Sequence, residues 1–191
     1  MKFIGSIITL LLINLSAWAQ TEVSTNLEPK EGVTLEYEIN ASGQSIPLIL
    51  KVSQIGPDGV TLDYNIMGSM TGKFINSKTN LEKGTSMNWD QPIPGEERKL
   101  PDDQTIAMVS RTFLKDLKTN KKATYDNNEF QLKEQPQGSA VTVGGKEVKS
   151  IYAESSDGAI RIWVLDNNDY PFLVKLEGNA GGINLTLKDV R

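Results

Sequence analysis

The sequence of 191 residues contains neither histidine nor cysteine. Without them the chain has no Ser-His-Asp or Cys-His catalytic group, and it lacks the usual ligands of zinc, copper, haem and iron–sulfur clusters. It also has no disulfide bonds, which is more typical of a bacterial periplasmic or surface protein than of a eukaryotic secreted domain. Any metal site would need oxygen ligands alone, and acid–base catalysis would fall to Asp, Glu, Lys or Tyr. We predict no metal site and no cofactor.

Positive charge and long hydrophobic runs are also scarce. The 20 Lys and Arg residues against 24 Asp and Glu give a net charge of −4, and no basic cluster suggests binding to nucleic acid or to an anionic membrane surface. The one long apolar segment runs from Phe3 to Leu15, after Lys2 and before the small residues Ala17 and Ala19. This pattern is typical of a signal peptide, and the segment is too short and too interrupted for a membrane-spanning helix.

We expect cleavage after Ala19, which makes residues 1–19 a signal peptide, residues 20–30 a polar leader and residues 31–191 a single β-rich domain. The alternative is an uncleaved N-terminal anchor. No Cys is present for lipid attachment, and no later segment approaches membrane-spanning length. The sequence therefore predicts a periplasmic or secreted protein with no membrane span after cleavage.

Alternating apolar residues predict an antiparallel meander near the start of the domain. Three apolar rows are separated by turn residues at 42–44 and 56–59. The rows are Val33, Leu35, Tyr37 and Ile39, then Ile46, Leu48, Leu50 and Val52, then Val60, Leu62, Tyr64 and Ile66. Six further strand candidates lie between Glu129 and Val190. The spacing favours a barrel or a strongly curved antiparallel sheet.

The period changes once, between residues 103 and 118. Apolar residues follow one another there at offsets of three, four and four, namely Ile106, Val109, Phe113 and Leu117. This spacing predicts one amphipathic α-helix over about 103–118, capped by Asp102 or Asp103. The expected fold is therefore mainly β, a single curved antiparallel sheet or barrel. The helix packs on this sheet because its apolar face must be buried.

Two acidic, amide-rich segments, Asp166-Asn167-Asn168-Asp169 and Asp126-Asn127-Asn128-Glu129, are candidates for calcium binding. Both lack the glycine and the ligand spacing of an EF-hand loop. Asn and Asp tolerate left-handed backbone and bond their own main chain, so we interpret both segments as hairpin turns. Gly144-Gly145 and Gly181-Gly182 are interpreted in the same way, because they lie between strands and open no helix that would bind phosphate.

Two stretches of the chain resemble a known family. The segments GVTLEY (32–37) and GGKEVKSIYAESSDGAIRIWVLDNNDYPFLVKLEGN (144–179) resemble secreted TapB-like proteins, a family of unknown function common in Bacteroidota. The resemblance implies a periplasmic or secreted β-barrel-like domain and supplies no catalytic residue. In architecture the chain is also similar to lipoprotein carriers of the LolA and LolB type, in which helices close a curved sheet over an apolar cavity. That fold uses several helices, whereas this sequence predicts one.

The expected function is that of a non-enzymatic protein that binds a lipid or another hydrophobic or amphipathic ligand, or a protein of the cell envelope. The alternatives are a hydrolase that uses carboxylates alone, such as a glycosidase with two carboxyls facing one cleft, and a purely structural interaction module. If the sheet is hollow, apolar residues would line a ligand cavity. The candidates are Tyr37, Leu50, Tyr64, Val109, Phe113, Leu117, Trp163 and Phe172. A packed core would use the same residues, and the sequence leaves this choice open.

Overall fold

The computed structural model describes residues 27–179 and 181–191, so the predicted signal peptide and residues 20–26 of the predicted leader lie outside the described residues. The strands are β1 Thr34–Ala41, β2 Gln44–Gly56, β3 Gly59–Ile66, β4 Met70–Ser77, β5 Ser86–Met87, β6 Glu97–Lys99, β7 Gln104–Thr105, β8 Lys122–Tyr125, β9 Asn128–Leu132, β10 Thr142–Val143, β11 Lys146–Glu147, β12 Ser150–Ser155, β13 Arg161–Leu165, β14 Leu173–Glu177 and β15 Ile183–Val190. The helices are α1 Lys78–Lys83 and α2 Arg111–Asn120.

Eleven strands form one sheet in the order β6-β4-β3-β2-β1-β15-β14-β13-β12-β9-β8. Neighbouring strands are antiparallel except for β4 and β6. Two small sheets, β10–β11 and β5–β7, complete the β structure of the described chain. The prediction of a mainly β fold built on one large antiparallel sheet is confirmed. The sheet has two edges, β6 and β8, and does not close into a barrel.

The predicted meander corresponds to β1, β2 and β3. Each strand turns its apolar row inward, so that Leu35, Leu50 and Leu62 are buried while alternate residues face outward. Ser42 and Gly43, between β1 and β2, both have positive φ, at 50° and 77°. Twisted strands prefer a two-residue hairpin turn that requires positive φ at both positions. The period of two in the sequence thus gives one buried face and one wet face.

The first and last strands are neighbours in the middle of the sheet. Leu35 pairs with Val190 at one end of the β1–β15 ladder, and Ala41 pairs with Ile183 at the other. At the start of β1, the Thr34 N–H donates to the Arg191 carbonyl at 2.8 Å, and the Arg191 N–H donates to the Thr34 carbonyl at 3.0 Å. The two halves of the sheet are therefore joined by residues far apart in sequence.

Helix α2 begins eight residues later than the predicted start at 103. Gln104 and Thr105 form β7 and pair with β5, and Ala107 has a left-handed backbone with φ 57°. None of these three residues is therefore helical. The Ser110 side chain accepts a hydrogen bond from the Phe113 N–H at 3.3 Å and caps the helix, in place of Asp102 or Asp103. Ile106 and Val109 therefore lie in a packed loop, and helical spacing there was misleading.

The prediction of one helix was also wrong in number, because α1 precedes α2 in the described chain. Ser77 and Asn80 form a capping box at its start, in which each side chain bonds the backbone N–H of the other residue. The Asn80 amide is buried and also donates to the carbonyls of Pro101 and Gln104, the latter at 2.8 Å. This one side chain ties α1 to the loop that leads into β7.

Candidate functional site

The eight residues predicted to line a cavity are all buried, none more than 3 % exposed. They are Tyr37, Leu50, Tyr64, Val109, Phe113, Leu117, Trp163 and Phe172. They belong to one hydrophobic core, in which the Tyr64 ring stacks on Phe74 with centroids 4.5 Å apart and the Phe113 ring centroid lies 5.3 Å from that of Tyr125. The structure joins the eight in one core, but none of the pockets and recesses described below is lined by more than one of them.

The apolar interior of the described chain leaves little space beside these residues. Two interior pockets border predicted cavity residues: one of about 10 Å³ next to Leu35 and Phe172, and one of about 20 Å³ next to Val109 and Leu173. Phe113 and Tyr64 border open surface recesses instead. Ligand pockets for small molecules typically measure about 300–1,000 Å³. Neither pocket is large enough for a lipid chain, so the eight residues act as core side chains in this conformation.

Strand β13 has apolar side chains on both faces, with Ile162 on one and Trp163 on the other. The face that carries Trp163 is covered by neighbouring side chains. The Tyr152 ring packs against the Trp163 indole with centroids 4.8 Å apart, and the Lys175 ammonium lies 4.7 Å above the indole. Only 1 % of Trp163 is exposed, although its indole N–H has no hydrogen-bond partner in the described chain. The apolar second face therefore offers no open ligand site.

The Asp166–Asp169 segment is a turn, as predicted, and it is tied to helix α2. The Asn167 side chain accepts hydrogen bonds from the N–H groups of Asp169 and Tyr170, both at 3.0 Å. The carboxylate of Asp166 pairs with Lys118 and, at 3.2 Å, with Lys149.

Burial of Asp166 raises the pKa of its carboxyl, but hydrogen bonds and charge from Lys118 and Lys149 outweigh burial and leave the pKa below its ordinary value. The segment thus holds a satisfied carboxylate that fastens α2 to the β13–β14 connection. Among the described residues no group of three or more Asp and Glu is arranged to hold a metal ion.

The Asp126–Asn127 segment is a two-residue hairpin turn between β8 and β9. Both residues have left-handed backbone, with φ of 53° and 59°, which Asp and Asn tolerate better than most residues. The Asp126 carboxylate accepts from the Trp89 indole N–H at 2.8 Å, and its backbone N–H donates to the Thr85 carbonyl at 2.7 Å. The turn is therefore fixed to the loop that contains β5.

Three open recesses on the surface are far larger than the two interior pockets, with volumes of about 440, 430 and 390 Å³. In two of them, one charged side chain on the wall already has a partner. Lys73 pairs with Glu97 at 2.6 Å in the recess over β2–β4, and Arg111 pairs with Glu82 at 2.5 Å at the start of α2, in the recess that runs along this helix.

The recess of about 440 Å³ lies along edge strand β8 and is named the β8 recess. It is lined by Lys83, Gly84, Thr85, Ser110, Thr112, Phe113, Asp116, Asn120, Lys122, Ala123, Thr124 and Glu129. One wall is helix α2, the other is the chain at residues 83–85, and β8 runs between them. Sequence reasoning missed this recess, because the polar residues that follow the helix gave no strand pattern for β8.

The backbone direction of β8 follows from its ladder with β9. The Leu132 N–H donates to the Lys121 carbonyl at 2.8 Å, so Lys121, Ala123 and Tyr125 turn their backbone groups toward β9. The intervening residues, Lys122 and Thr124, turn their N–H and C=O groups outward into the recess. No hydrogen bond within residues 27–179 and 181–191 satisfies these four groups.

Charge in the β8 recess is balanced. Lys83 and Lys122 contribute two cations, and Asp116 and Glu129 contribute two carboxylates. Lys122 and Glu129 pair at 3.5 Å across the β8–β9 ladder, and both side chains are well exposed. The recess therefore combines unpaired backbone groups with no strong charge of either sign.

No family model, curated protein sequence or solved structure matches this chain. None of the helices in the described ranges is long and apolar enough to cross a membrane.

Proposed function

We propose that this chain is a non-enzymatic protein of the periplasm or the cell exterior that binds a partner of the cell envelope at its surface. The observation that carries the proposal is the contrast between a filled interior, with pockets of about 10 and 20 Å³, and a surface recess of about 440 Å³. Binding a lipid inside would require the core to open, whereas a partner at the recess requires no such change.

A first experiment tests the location and the absence of an interior ligand. The full chain is produced with its own N-terminus, purified from the bacterial periplasm without detergent and measured by native mass spectrometry. We expect a polypeptide that begins at Gln20 and carries no additional mass. A retained lipid would contradict surface binding and favour a carrier role, and an unprocessed N-terminus would contradict the proposed location.

A second experiment tests for the partner itself. A photo-reactive amino acid is placed at exposed positions around the surface, including Thr112 in the β8 recess and Met67 in the β3–β4 turn, in cells that naturally produce the protein. We expect discrete adducts of one envelope protein from a contiguous set of positions. Absence of adducts at every position would contradict the proposal.

A further inference from the structure

We infer that the outer edge of β8 is a binding site for an extended peptide, which joins the sheet as an additional strand beside Lys122–Thr124. The inference rests on the proposed function, because it specifies where the surface partner binds and which part of that partner binds. In this mode of recognition, main-chain hydrogen bonds provide affinity and side chains at alternate positions provide selectivity.

The unpaired backbone groups are the first argument. Lys122 and Thr124 each direct one N–H and one C=O away from β9. The next outward N–H along the same edge, that of Asp126, already donates to the Thr85 carbonyl at 2.7 Å. The outer edge of the strand thus already forms one backbone hydrogen bond, at Asp126. A peptide would continue this row of hydrogen bonds along the edge, to the outward groups of Thr124 and Lys122.

The shape of the β8 recess is the second argument. Its volume of about 440 Å³ lies within the range of ligand sites, and the edge lies between α2 and residues 83–85. An extended segment between these walls would lie against the outward backbone groups of Lys122 and Thr124. The β8 edge of a second copy would bring its own α2 and its own residues 83–85, so a peptide segment suits the recess better than a second folded domain.

The side chains around the edge predict the pattern of the peptide. Successive side chains of a strand point to opposite faces, so a peptide residue across from Ala123 points toward Phe113 on the α2 side, where a small apolar side chain suits the site. Residues across from Lys122 and Thr124 point to the solvent face. We therefore expect an apolar residue flanked by polar residues, and no net charge, because the charges of the recess are balanced.

The test uses random twelve-residue peptides displayed on phage, selected on the mature protein, and a matched pair of variants. Thr124→Pro removes the outward N–H and places a ring in the recess, but it leaves the bonds to β9 in place, since that N–H does not take part in them. Thr124→Val keeps the N–H and the branched side chain. We expect synthetic copies of the selected peptides to bind Thr124→Val like the wild type, and to bind Thr124→Pro at least about tenfold more weakly.

A second pair guards against a folding defect in Thr124→Pro. Thr112→Trp fills the β8 recess from the exposed side of α2, and Thr119→Trp adds the same side chain to the same helix outside that recess. We expect the first to abolish peptide binding and the second to leave it unchanged, with equal thermal unfolding temperatures for both.

Three results would overturn the inference. The first is a failure to enrich any peptide, and the second is equal binding by all four variants. The third is a wild-type dimer in analytical ultracentrifugation that Thr124→Pro alone abolishes, which would assign the edge to a second copy of the chain. If the cross-linked envelope partner binds Thr124→Pro and Thr112→Trp as well as it binds the wild type, the proposed function stands and only the β8 assignment fails.

Discussion

Phe113 shows how one side chain distinguishes a core helix from a lid. Its ring packs edge-on against Phe130, with centroids 5.9 Å apart, and is tilted against Tyr125. A lid would leave such a residue accessible, but Phe113 is only 3 % exposed. The ring therefore joins α2 to β8 and β9.

We expect Phe113→Ala to lower the free energy of unfolding by about 3–5 kcal/mol, because it removes buried apolar surface and leaves a cavity. Urea unfolding followed by circular dichroism measures this change. The exposed Thr119→Ala on the same helix is the control and should change the value by less than about 0.5 kcal/mol. A Phe113→Ala protein of wild-type stability would instead identify α2 as a lid.

Asp166 provides a pH-dependent contribution to stability. Its folded pKa is lower than that of an unfolded Asp, about 3.9, so the carboxylate stabilises the fold above that value. This contribution is lost as the pH falls through the lower folded pKa and protonation breaks the pairing with Lys118 and Lys149. Acidification therefore removes the contribution of this turn to the stability of the fold.

We expect Asp166→Asn to unfold at a lower temperature than the wild type by a constant amount above about pH 5, and the difference to disappear as the pH falls toward about 2. Thermal unfolding from pH 7 to pH 2 measures it. Asp102→Asn is the control, because Asp102 is exposed and forms no ion pair within the described chain. A difference that grows on acidification would refute the assigned role of Asp166.

At the scale of elements, Asn80 holds α1 in position. The helix has only six residues, too few to be stable alone, so its place depends on tertiary contacts. The Asn80 carbonyl oxygen accepts from the backbone N–H and the hydroxyl of Ser77, both at 2.6 Å, while its amide donates to the carbonyl of Gln104 in β7 at 2.8 Å. Removal of this side chain leaves several buried groups without partners.

We expect Asn80→Ala to cost about 3 kcal/mol of unfolding free energy, since unsatisfied buried groups cost about 1–3 kcal/mol each. The exposed Asn120→Ala at the end of α2 should be nearly neutral. Hydrogen exchange should also show faster exchange in α1 and at Gln104, with β1–β3 unchanged. Equal exchange rates in α1 would show that other contacts hold this helix.

The elements also show what the sequence could predict. The meander was predictable because Leu35, Leu50 and Leu62 belong to regular rows with a period of two. The start of α2 was not, because Val109 lies at helical spacing for reasons of loop packing, and only Ser110 indicated the true start. The β8 edge was beyond reach, because the outward direction of Thr124 depends on its register with β9.

At the scale of the whole molecule, β15 holds the sheet together. It lies between β1 and β14, and its pairs with β1 extend from Ile183 to Val190. Without it, the sheet would be divided into a half that ends at β1 and a half that begins at β14. The buried residues Leu185 and Leu187 would also be lost from the core.

We expect deletion of residues 183–191 to abolish cooperative unfolding, because neither half retains a covered apolar face. Near-ultraviolet circular dichroism and a thermal scan test this result. Deletion of Arg191 alone is the control and should lower the unfolding temperature without loss of cooperativity. A cooperatively folded protein that lacks β15 would show that the two halves are independent units.

The central pairing of β1 and β15 also sets the order of events during synthesis. The chain leaves the ribosome with β1 first, and β2, β3 and β4 can join it as a local meander. The remaining edge of β1 must wait until residues 183–190 have emerged, because β15 takes that place in the sheet. The native sheet is thus completed only after β15 has been synthesised, and until then the nascent chain carries an exposed apolar edge that chaperones can recognise.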